Sequence, residues 1–321
     1  MSQPNATPPS AAGPNASPDM SLGNGRGIAL VLGAFLVFGI QDGITKHITQ
    51  SIDVAQMLLV RFGVFALFVT FWVSRRRGIR TTMASKRPVF QIFRSALILA
   101  EIGIFATALK FLPLADVHSI FAAAPLIVTA LSVPLLGEPV GPRRWAAVLV
   151  GFCGVLVILR PGMGVIEPAA LLALLAGFMF ALYIVLTRKV SAVDSTDTSL
   201  FYMGWTGFVI MAMIGPFYWQ WPDLNGWLFL GALSLTSIVG HMLFTMALEA
   251  SPAAILQPFQ YSVLVWAALI GFFAFGDIPD FWTIIGASVV VASGLYTIYR
   301  ERVRGRIPKE RPMKARGLPG S

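Results

Sequence analysis

The chain has 321 residues, of which 56% are hydrophobic and only 12% are charged, and its formal net charge is +9. An average soluble domain contains about 25% charged residues, so this composition excludes an ordinary water-soluble globule and predicts an integral membrane protein. The basic residues lie in short loops between apolar segments and in the C-terminal tail. They therefore indicate membrane topology rather than a nucleic-acid-binding surface.

The N-terminal segment 1–25 is rich in Pro, Ala, Asn, Ser and Gly, and it has almost no bulky apolar side chains to bury. It is predicted to be a disordered cytoplasmic tail. The segment 301–321 is predicted to be a basic cytoplasmic tail, and its last residues, 313–321, are expected to be left over from cloning. The single cysteine, Cys153, lies in an apolar run. It excludes an intrachain disulfide and a Cys-rich metal site, and it is predicted to be a small core residue.

Ten segments are apolar over the roughly 20 residues that a helix needs to cross the hydrocarbon core of a bilayer. They predict an all-α integral membrane protein with short loops. The predicted helices lie near residues 27–48, 55–73, 89–112, 115–136, 143–160, 168–188, 199–219, 227–249, 253–275 and 281–300.

Lys and Arg are distributed unevenly between the two sides that these spans define. If the N-terminus is cytoplasmic, nineteen basic residues fall on the inside and three on the outside, with Arg61 and Arg94 inside the spans. The positive-inside rule then predicts that both termini are cytoplasmic. For a bacterial chain, this places the protein in the inner (plasma) membrane as a multi-pass protein.

Two parts of the chain repeat each other. Residues 105–147 and 244–286 align at an offset of 139, and residues 33–46 resemble residues 176–189. Each half, 27–160 and 168–300, therefore has five spans. Because five is odd, the second copy must cross the membrane in the opposite sense, which is typical of secondary transporters. The matched pairs are Phe105 with Phe244, Ala108 with Ala247, Leu109 with Leu248, Pro113 with Pro252, Ala115 with Ala254, Gly137 with Gly276 and Glu138 with Asp277.

Several short motifs carry a resemblance to a known family. They are Leu-Val-Arg61-Phe in the second span, Ala108-Leu109 with Pro113-Leu-Ala115, Gly137-Glu138-Pro139, and the weaker second copy Ala247-Leu248, Pro252-Ala-Ala254 and Gly276-Asp277. With these motifs, the chain resembles the drug/metabolite transporter superfamily and its ten-helix, EamA-type branch. Within that branch it is most similar to bacterial exporters of aromatic amino acids and of amphipathic toxins such as methyl viologen. The resemblance implies a substrate cavity between the halves, lined largely by helices three, four, eight and nine.

Polar residues inside the spans are candidates for the substrate site, because a charged side chain at membrane depth costs about 2.5–3.5 kcal/mol unless it has a partner or a watery cavity. Glu101 lies near the middle of the third span, and its repeat-equivalent Gly240 directly precedes His241 in the eighth. His118 and Gln257 also occupy equivalent positions. Equivalent positions share a depth only near the midplane, so these four polar side chains are predicted to face one central cavity.

Aromatic rings near the same depth offer stacking and cation-π contacts to a substrate. Tyr202, Trp205 and Tyr261, together with Gln260, are therefore added to the predicted substrate-binding residues. Trp219, Trp221 and Trp227 are assigned instead to the aromatic belt at the outer boundary.

The remaining candidates have a coupling, structural or hinge role. Asp42, Arg61 and Arg94 are predicted to couple transport to protons or to hold the helices together. Pro125, Pro134 and Pro258 are predicted hinges, because each removes a helical hydrogen bond. The alternatives are that Glu101 simply pairs with Arg94, that the histidines are packing residues, and that the prolines form static kinks.

No Walker A loop, His-Glu-x-x-His or Gly-x-Ser-x-Gly motif occurs in the sequence. We therefore predict no cofactor, no metal, no catalytic residue and no enzymatic activity. The sequence favours a secondary transporter, a monomer or homodimer in the lipid bilayer, that exports amino acids and amphipathic metabolites by alternating access and binds no nucleic acid. A nucleotide-sugar or sugar-phosphate antiporter, an intramembrane enzyme using Glu101 and His241, and a channel are the alternatives.

Overall fold

The computed structural model describes residues 20–305, except residues 77, 138–139, 161–167, 192 and 252. The predicted N-terminal tail up to residue 19, the basic tail beyond residue 305 and the acidic residue Glu138 lie outside the described residues. Within the described part of the chain, every regular element is helical and no strand occurs. The helix α1 begins at Met20 and so includes the end of the segment predicted as a tail.

The helices follow one another with short connections. They are α1 (Met20–Ile48), α2 (Val54–Arg76), α3 (Ile79–Met83), α4 (Pro88–Phe111), α5 (Leu114–Phe121), α6 (Ala124–Leu136), α7 (Pro142–Leu159), α8 (Pro168–Ser191), α9 (Thr196–Ile214), α10 (Leu224–Ala250), α11 (Ala253–Leu256), α12 (Ser262–Ile270) and α13 (Phe281–Gly305). Ten stretches of the described chain are long and apolar enough to cross a membrane, and most begin and end within a few residues of the predicted spans. The all-α, ten-span fold class is confirmed.

Both the fourth and the ninth spans are interrupted near prolines. The fourth span consists of α5 and α6, with Pro125 in the first turn of α6 and Pro134 inside that helix. In the ninth span, a 3-10 turn over Gln257–Tyr261 contains Pro258 and precedes α12. Proline cannot donate a backbone hydrogen bond, so the helix tightens or breaks at these positions. The interruptions lie at nearly repeat-equivalent positions, and the hinge role of the prolines stays a prediction.

The repeat is also visible where these two spans end. Gly137 closes α6 with a φ of 68°, and Gly276 follows a π-helical turn, Gly271–Phe275, with a φ of 71°. A left-handed residue at a helix C-terminus favours glycine, because a Cβ atom would be strained there. The two glycines matched by the sequence repeat therefore end a helix in the same left-handed backbone conformation in each half.

Helices of the two halves interleave. The most extensive contacts join α1 with α10, α7 with α13, α4 with α8, and α2 with α9. Each of these pairs combines one helix from the first half with one from the second. In lipid, such contacts depend on close van der Waals packing rather than on the hydrophobic effect. Gly154 and Gly286 show this closeness, since a Cβ atom on Gly286 would lie 2.6 Å from the carbonyl oxygen of Gly154.

The prediction that Cys153 is a core residue is wrong. Its side chain is exposed, on the same face of α7 as the exposed residues Leu149, Phe152 and Leu156. This stripe is the surface that a bilayer would cover. The sequence misleads here because lipid tails are as apolar as a protein core, so an apolar run does not distinguish the two environments.

The bundle has two ends, which differ in the helix termini they carry. The terminal face carries the start of α1 and the end of α13, and the opposite face carries the end of α1 and the start of α13. Three tryptophans lie together at the opposite face. The Trp219 ring lies 5.7 Å from that of Trp221 and 6.2 Å from that of Trp227. The aromatic belt predicted for these residues would lie at this face.

Candidate transport site

Five ionisable side chains from five helices form the central polar cluster: Asp42 of α1, Arg61 of α2, Glu101 of α4, His118 of α5 and His241 of α10. Arg61, Glu101 and His118 are buried, with at most 9% of each residue exposed. Asp42 and His241 are partly buried. Bringing ionisable groups together inside membrane-spanning helices is costly unless they serve as partners for one another or for a substrate.

Asp42 and His118 form the shortest contact within this cluster. Nε2 of His118 lies 3.1 Å from Oδ2 of Asp42, and only 5% and 14% of the two side chains are exposed. The imidazole is not aligned for a hydrogen bond to this carboxylate. The ring of Phe105 packs edge-on against His118 at 5.4 Å between ring centroids. The pair therefore joins α1 to α5 beside an aromatic surface.

Arg61 is the electrostatic centre of the cluster. It is close enough to the carboxyl groups of both Asp42 and Glu101 to act on them electrostatically. It is also the charged neighbour of His241. Glu101 and His241, predicted from the repeat to share a cavity, thus have Arg61 in common. The cluster therefore contains one guanidinium, two carboxyl groups and two imidazoles.

His241 is held by the helix that carries it and by two aromatic rings. Its Nδ1 lies 2.8 Å from the backbone oxygen of Ser237. The rings of Phe38 and Phe65 lie 5.4 Å and 5.5 Å from the imidazole. Ser237 in turn donates a hydrogen bond of 3.0 Å to the side chain of Gln41. These contacts fix the orientation of the imidazole between α1, α2 and α10.

A series of aromatic rings leads away from His118. Phe105 contacts Phe121 with ring centroids 5.1 Å apart, and Phe121 contacts Phe180 at 5.1 Å. Phe180 is stacked with Tyr183 at 6.4 Å. We call Phe105, Phe121, Phe180 and Tyr183 the aromatic wall. In the sequence, Phe105 stands out only as a repeat match and Phe121 and Phe180 do not stand out, because apolar rings are common throughout membrane helices.

Arg94 lies at the far end of the aromatic wall and is not the partner of Glu101. Its guanidinium lies 4.9 Å from the centre of the Tyr183 ring. It donates hydrogen bonds to the side chains of Gln91 and Thr187 and to the backbone oxygen of Ser199. Arg94 is only 1% exposed. Its contacts join α4 to α8 and α9, which is a structural arrangement.

Four predicted binding residues of the second half occupy other places. Gln257 is exposed at the start of its 3-10 turn, and Gln260 is partly buried. Tyr261 is buried, with its hydroxyl packed closely against Gly294. The hydroxyl of Tyr202 donates a hydrogen bond of 3.0 Å to the backbone oxygen of Met83. None of these four shares a described hydrogen bond or ring contact with the central polar cluster.

Trp205 also lies away from the central polar cluster. Its indole Nε1 donates a hydrogen bond of 3.0 Å to Oγ1 of Thr70. Its ring packs with Phe201 and Phe208, at 6.2 Å and 5.9 Å. These contacts place Trp205 between α9 and α2. Its substrate-binding role remains a prediction.

Polar contacts join the helix ends at the opposite face, and two of them connect the two halves. Nζ of Lys46 lies 2.8 Å from Oδ2 of Asp277 and donates a second hydrogen bond of 2.8 Å to the backbone oxygen of Leu112. We call these contacts the Lys46 latch. Arg160 forms an ion pair with Asp280 nearby. Although burial opposes ionisation of Asp280, the backbone N–H of Thr283 and the Arg160 side chain outweigh that effect and lower its pKa.

At the terminal face, Asp194 accepts hydrogen bonds from the segment between α3 and α4 and from Gln91 of α4. Oδ2 of Asp194 accepts from Oγ of Ser85 at 2.5 Å and from Nε2 of Gln91 at 3.0 Å, and Oδ1 accepts from the backbone N–H of Lys86 at 3.0 Å. Burial opposes ionisation of Asp194, but these hydrogen bonds outweigh it and lower its pKa. Through Gln91, the group continues to Arg94.

Ten spans in two interleaved halves around a buried charged cluster define a polytopic membrane protein of the transporter class. The chain belongs to the EamA-like transporter family, whose model matches two consecutive segments, residues 25–160 and 167–299. The family assignment and the transporter function made from the sequence are confirmed at this level.

Relatives with known cargo are similar to most of the chain. It is 27% identical over 223 residues to an S-adenosylmethionine uptake transporter of Rickettsia bellii, covering 70% of this chain and 77% of that protein. It is 27% identical to a riboflavin transporter of Vibrio cholerae, covering 88% and 95%. It is 23% identical to the Pseudopaline exporter CntI of Pseudomonas aeruginosa, covering 83% and 94%. None of these three names is that of an aromatic amino acid or methyl viologen exporter.

One solved crystal structure has the same fold. It aligns with a TM-score of 0.59 at 18% sequence identity, and the alignment covers 88% of this chain and 99% of the other. At this identity, the similarity concerns the fold alone.

Proposed function

We propose that the chain is a secondary carrier that exports small amphipathic metabolites combining a planar ring with charged groups, with aromatic amino acids as the simplest members. The observation that carries the proposal is the position of the central polar cluster directly beside the aromatic wall. His118 belongs to the cluster and contacts Phe105, the first ring of the wall. A substrate at this place would meet opposite charges at one end and ring faces at the other.

The charges of the cluster suit a zwitterion. A guanidinium such as that of Arg61 binds carboxylates in a bidentate manner, and charge-assisted hydrogen bonds are roughly twice as strong as neutral ones. Asp42 and Glu101 provide acceptors for an ammonium group. A ring stacked on Phe105 or Phe121 would add about 0.5–1.5 kcal/mol beyond its buried area. When it binds, the substrate thus takes the place of the electrostatic partners that Arg61, Asp42 and Glu101 provide for one another.

The names of two relatives support a substrate with a planar ring. S-adenosylmethionine and riboflavin, named for two of them, each contain a planar ring system. The names also include both uptake and export. The proposed direction of transport, export, therefore rests on the sequence resemblance, and flux measurements test it.

A nucleotide-sugar or sugar-phosphate antiporter is the second candidate inside the transporter class. Its anionic substrates would require a surplus of basic groups at the site. The central polar cluster contains two carboxylates against one guanidinium, and Arg94 is occupied by Gln91, Thr187 and Ser199. This balance disfavours an anionic cargo.

Alternating access would result from movement of the interleaved halves. We infer that a pathway from the opposite face to the central polar cluster opens between α1 and the turn before α13, which the Lys46 latch joins. Opening that pathway requires Lys46 to leave both Asp277 and Leu112. A closing and opening movement of this kind is how inverted-repeat carriers expose one site to two sides.

The experiment is flux of radiolabelled substrate in vesicles containing the purified full chain. We expect saturable flux of at least one ring-bearing zwitterion among phenylalanine, tryptophan and S-adenosylmethionine, with riboflavin as an uncharged ring for comparison, and counterflow that distinguishes a carrier from a channel. The Arg61→Gln variant should lose most of this flux, whereas Arg75→Gln, at an exposed position, should retain it. Absence of flux above empty vesicles for every compound would overturn the proposal.

Proton coupling is tested in the same vesicles with and without an imposed pH gradient. We propose that Glu101 and His241 carry the coupled proton, because they share Arg61 as a neighbour inside the bundle. The Glu101→Gln and His241→Ala variants should then lose the response to the gradient. If both variants retain the wild-type rate and pH dependence, these residues do not couple protons.

A further inference from the structure

A group of basic residues that does not belong to the central polar cluster lies at the terminal face. A pocket of about 300 Å³ opens where the start of α7 meets the end of α13. Its lining residues are Gly141, Pro142, Arg143, Arg144 and Arg300. Three of these five residues are arginines, and they come from the last helix of each half.

The backbone adds to the positive charge of this pocket. The helix α7 begins at Pro142, and its N-cap residue Gly141 supplies no side-chain hydrogen bond. No acidic residue lies in the first turn of α7. The N-terminus of an 18-residue helix carries a partial positive charge, although Pro142 has no backbone N–H and that of Arg144 donates to the backbone oxygen of Gly141. This helix N-terminus and the guanidiniums of Arg143 and Arg300 border the same pocket.

The chain segments that contain the pocket-lining residues have more basic than acidic residues in their sequence. Residues 137–145 and 300–306 together contain six arginines and two glutamates, Glu138 and Glu301. Arg144 is about nine-tenths buried and makes a further contact within the protein. The exposed Arg143 and the partly buried Arg300 are therefore the side chains that can turn to a ligand.

Aromatic residues next to the pocket indicate its depth in a membrane. Trp145 follows Arg144 and is 40% exposed, and Tyr299 precedes Arg300 and is 62% exposed. Exposed Trp and Tyr side chains are enriched at the level of lipid headgroups. The pocket thus lies beside side chains that are typical of the level of lipid headgroups.

We propose that this pocket binds an anionic phosphate group, supplied by the headgroup of an anionic phospholipid or by a free phosphate. Guanidinium forks match phosphate oxygens in a bidentate manner, and a helix N-terminus favours the same anion. The bound phosphate bridges α7 and α13, which pack closely through Gly154 and Gly286. It would secure the terminal ends of this pair as Arg160 and Asp280 secure its opposite ends. The proposal does not depend on the substrate of the carrier.

The test compares the wild-type full chain with Arg143→Gln/Arg300→Gln. The matched control is Arg75→Gln/Arg76→Gln, which also removes two charges from the end of a membrane helix; these guanidiniums lie over the rings of Phe71 and Trp72 instead. Native mass spectrometry in an equal mixture of phosphatidylglycerol and phosphatidylcholine measures lipid retention. Thermal unfolding with inorganic phosphate measures the free anion. Arg143→Gln alone, at an exposed position, serves as the variant least able to disturb folding.

The outcomes distinguish a lipid headgroup from a free phosphate as the ligand, and two of them would contradict the proposal. A wild-type preference for phosphatidylglycerol that falls roughly tenfold or more in the Arg143→Gln/Arg300→Gln variant but persists in the control identifies a headgroup site. A stabilisation by inorganic phosphate that is lost only in that same variant, without a lipid preference, identifies a free-phosphate site. Arg143→Gln alone should give an intermediate loss. Equal losses in the two double variants, or no preference in the wild type, would overturn the proposal.

Discussion

Removing the charge of Lys46 should open the opposite face of the bundle. The amine of Lys46 makes two contacts of 2.8 Å, one to Asp277 and one to the backbone oxygen of Leu112. Hydrogen bonds to charged groups contribute about 1.5–3 kcal/mol. Because 14% and 23% of the Lys46 and Asp277 side chains are exposed, partial solvent screening favours the lower part of that range. Since 1.36 kcal/mol is a factor of ten, the Lys46→Met change should raise the open population about tenfold.

The assay is the labelling rate of a buried cysteine placed next to Lys46 in α1. Thr45→Cys is suitable because Thr45 is 3% exposed and directly precedes Lys46. The exposed Cys153 is first changed to serine. A membrane-impermeant maleimide should label the Lys46→Met protein about ten times faster than its parent. Lys110→Met is the matched control, since Lys110 lies at the same face with an exposed side chain outside the Lys46 latch. Equal labelling rates in parent and Lys46→Met would refute the reasoning.

Buried contacts elsewhere in the bundle lead to three more expected outcomes. Asp42→Asn and His118→Gln should each reduce substrate flux at least roughly tenfold, because loss of one side chain leaves the other buried without its polar neighbour; the double variant should lose little more, and additive losses measured in vesicles would show that the pair does not act as a unit. Asp194 has a lowered pKa, so its contribution to stability is present above its unfolded pKa and is lost as pH falls through the folded value. Thermal unfolding of Asp194→Asn should therefore be less sensitive to acid than that of wild type, and identical acid profiles would contradict the assignment. Gly286→Ala should lower the unfolding temperature, because the new Cβ atom would lie 2.6 Å from the backbone oxygen of Gly154; an unchanged temperature would show that α7 and α13 separate without cost.

Most of the fold could be predicted from the sequence, because membrane spans depend on local composition. A run of about 20 apolar residues has to form a helix in lipid, where each backbone polar group needs an internal partner. The predicted boundaries therefore agree closely with the structure, as at Leu114–Leu136 and Phe281–Arg300. The repeat between Gly137 and Gly276 was also visible, because a left-handed helix end restricts which residue can occupy it.

The candidate site could be predicted only in part from the sequence. The cost of burying ionisable groups at membrane depth singled out Asp42, Arg61, Glu101, His118 and His241, and the structure assembles these five into one cluster. The same reasoning selected Gln257, which is exposed at a helix break rather than in that cluster. Repeat equivalence gives a similar depth but not the direction in which a side chain points.

The sequence by itself determined the membrane environment, the ten helices and the inverted repeat, since these depend on hydropathy, charge count and local backbone requirements. The tertiary structure alone decided which side chains meet. In the structure, Arg94 contacts Gln91 and Tyr183 instead of Glu101, and Cys153 lies on the outer surface. The physical reason is that lipid and protein core are equally apolar, so composition does not specify the rotation of a helix about its axis. That rotation is set by close contacts between helices, such as the one between Gly154 and Gly286.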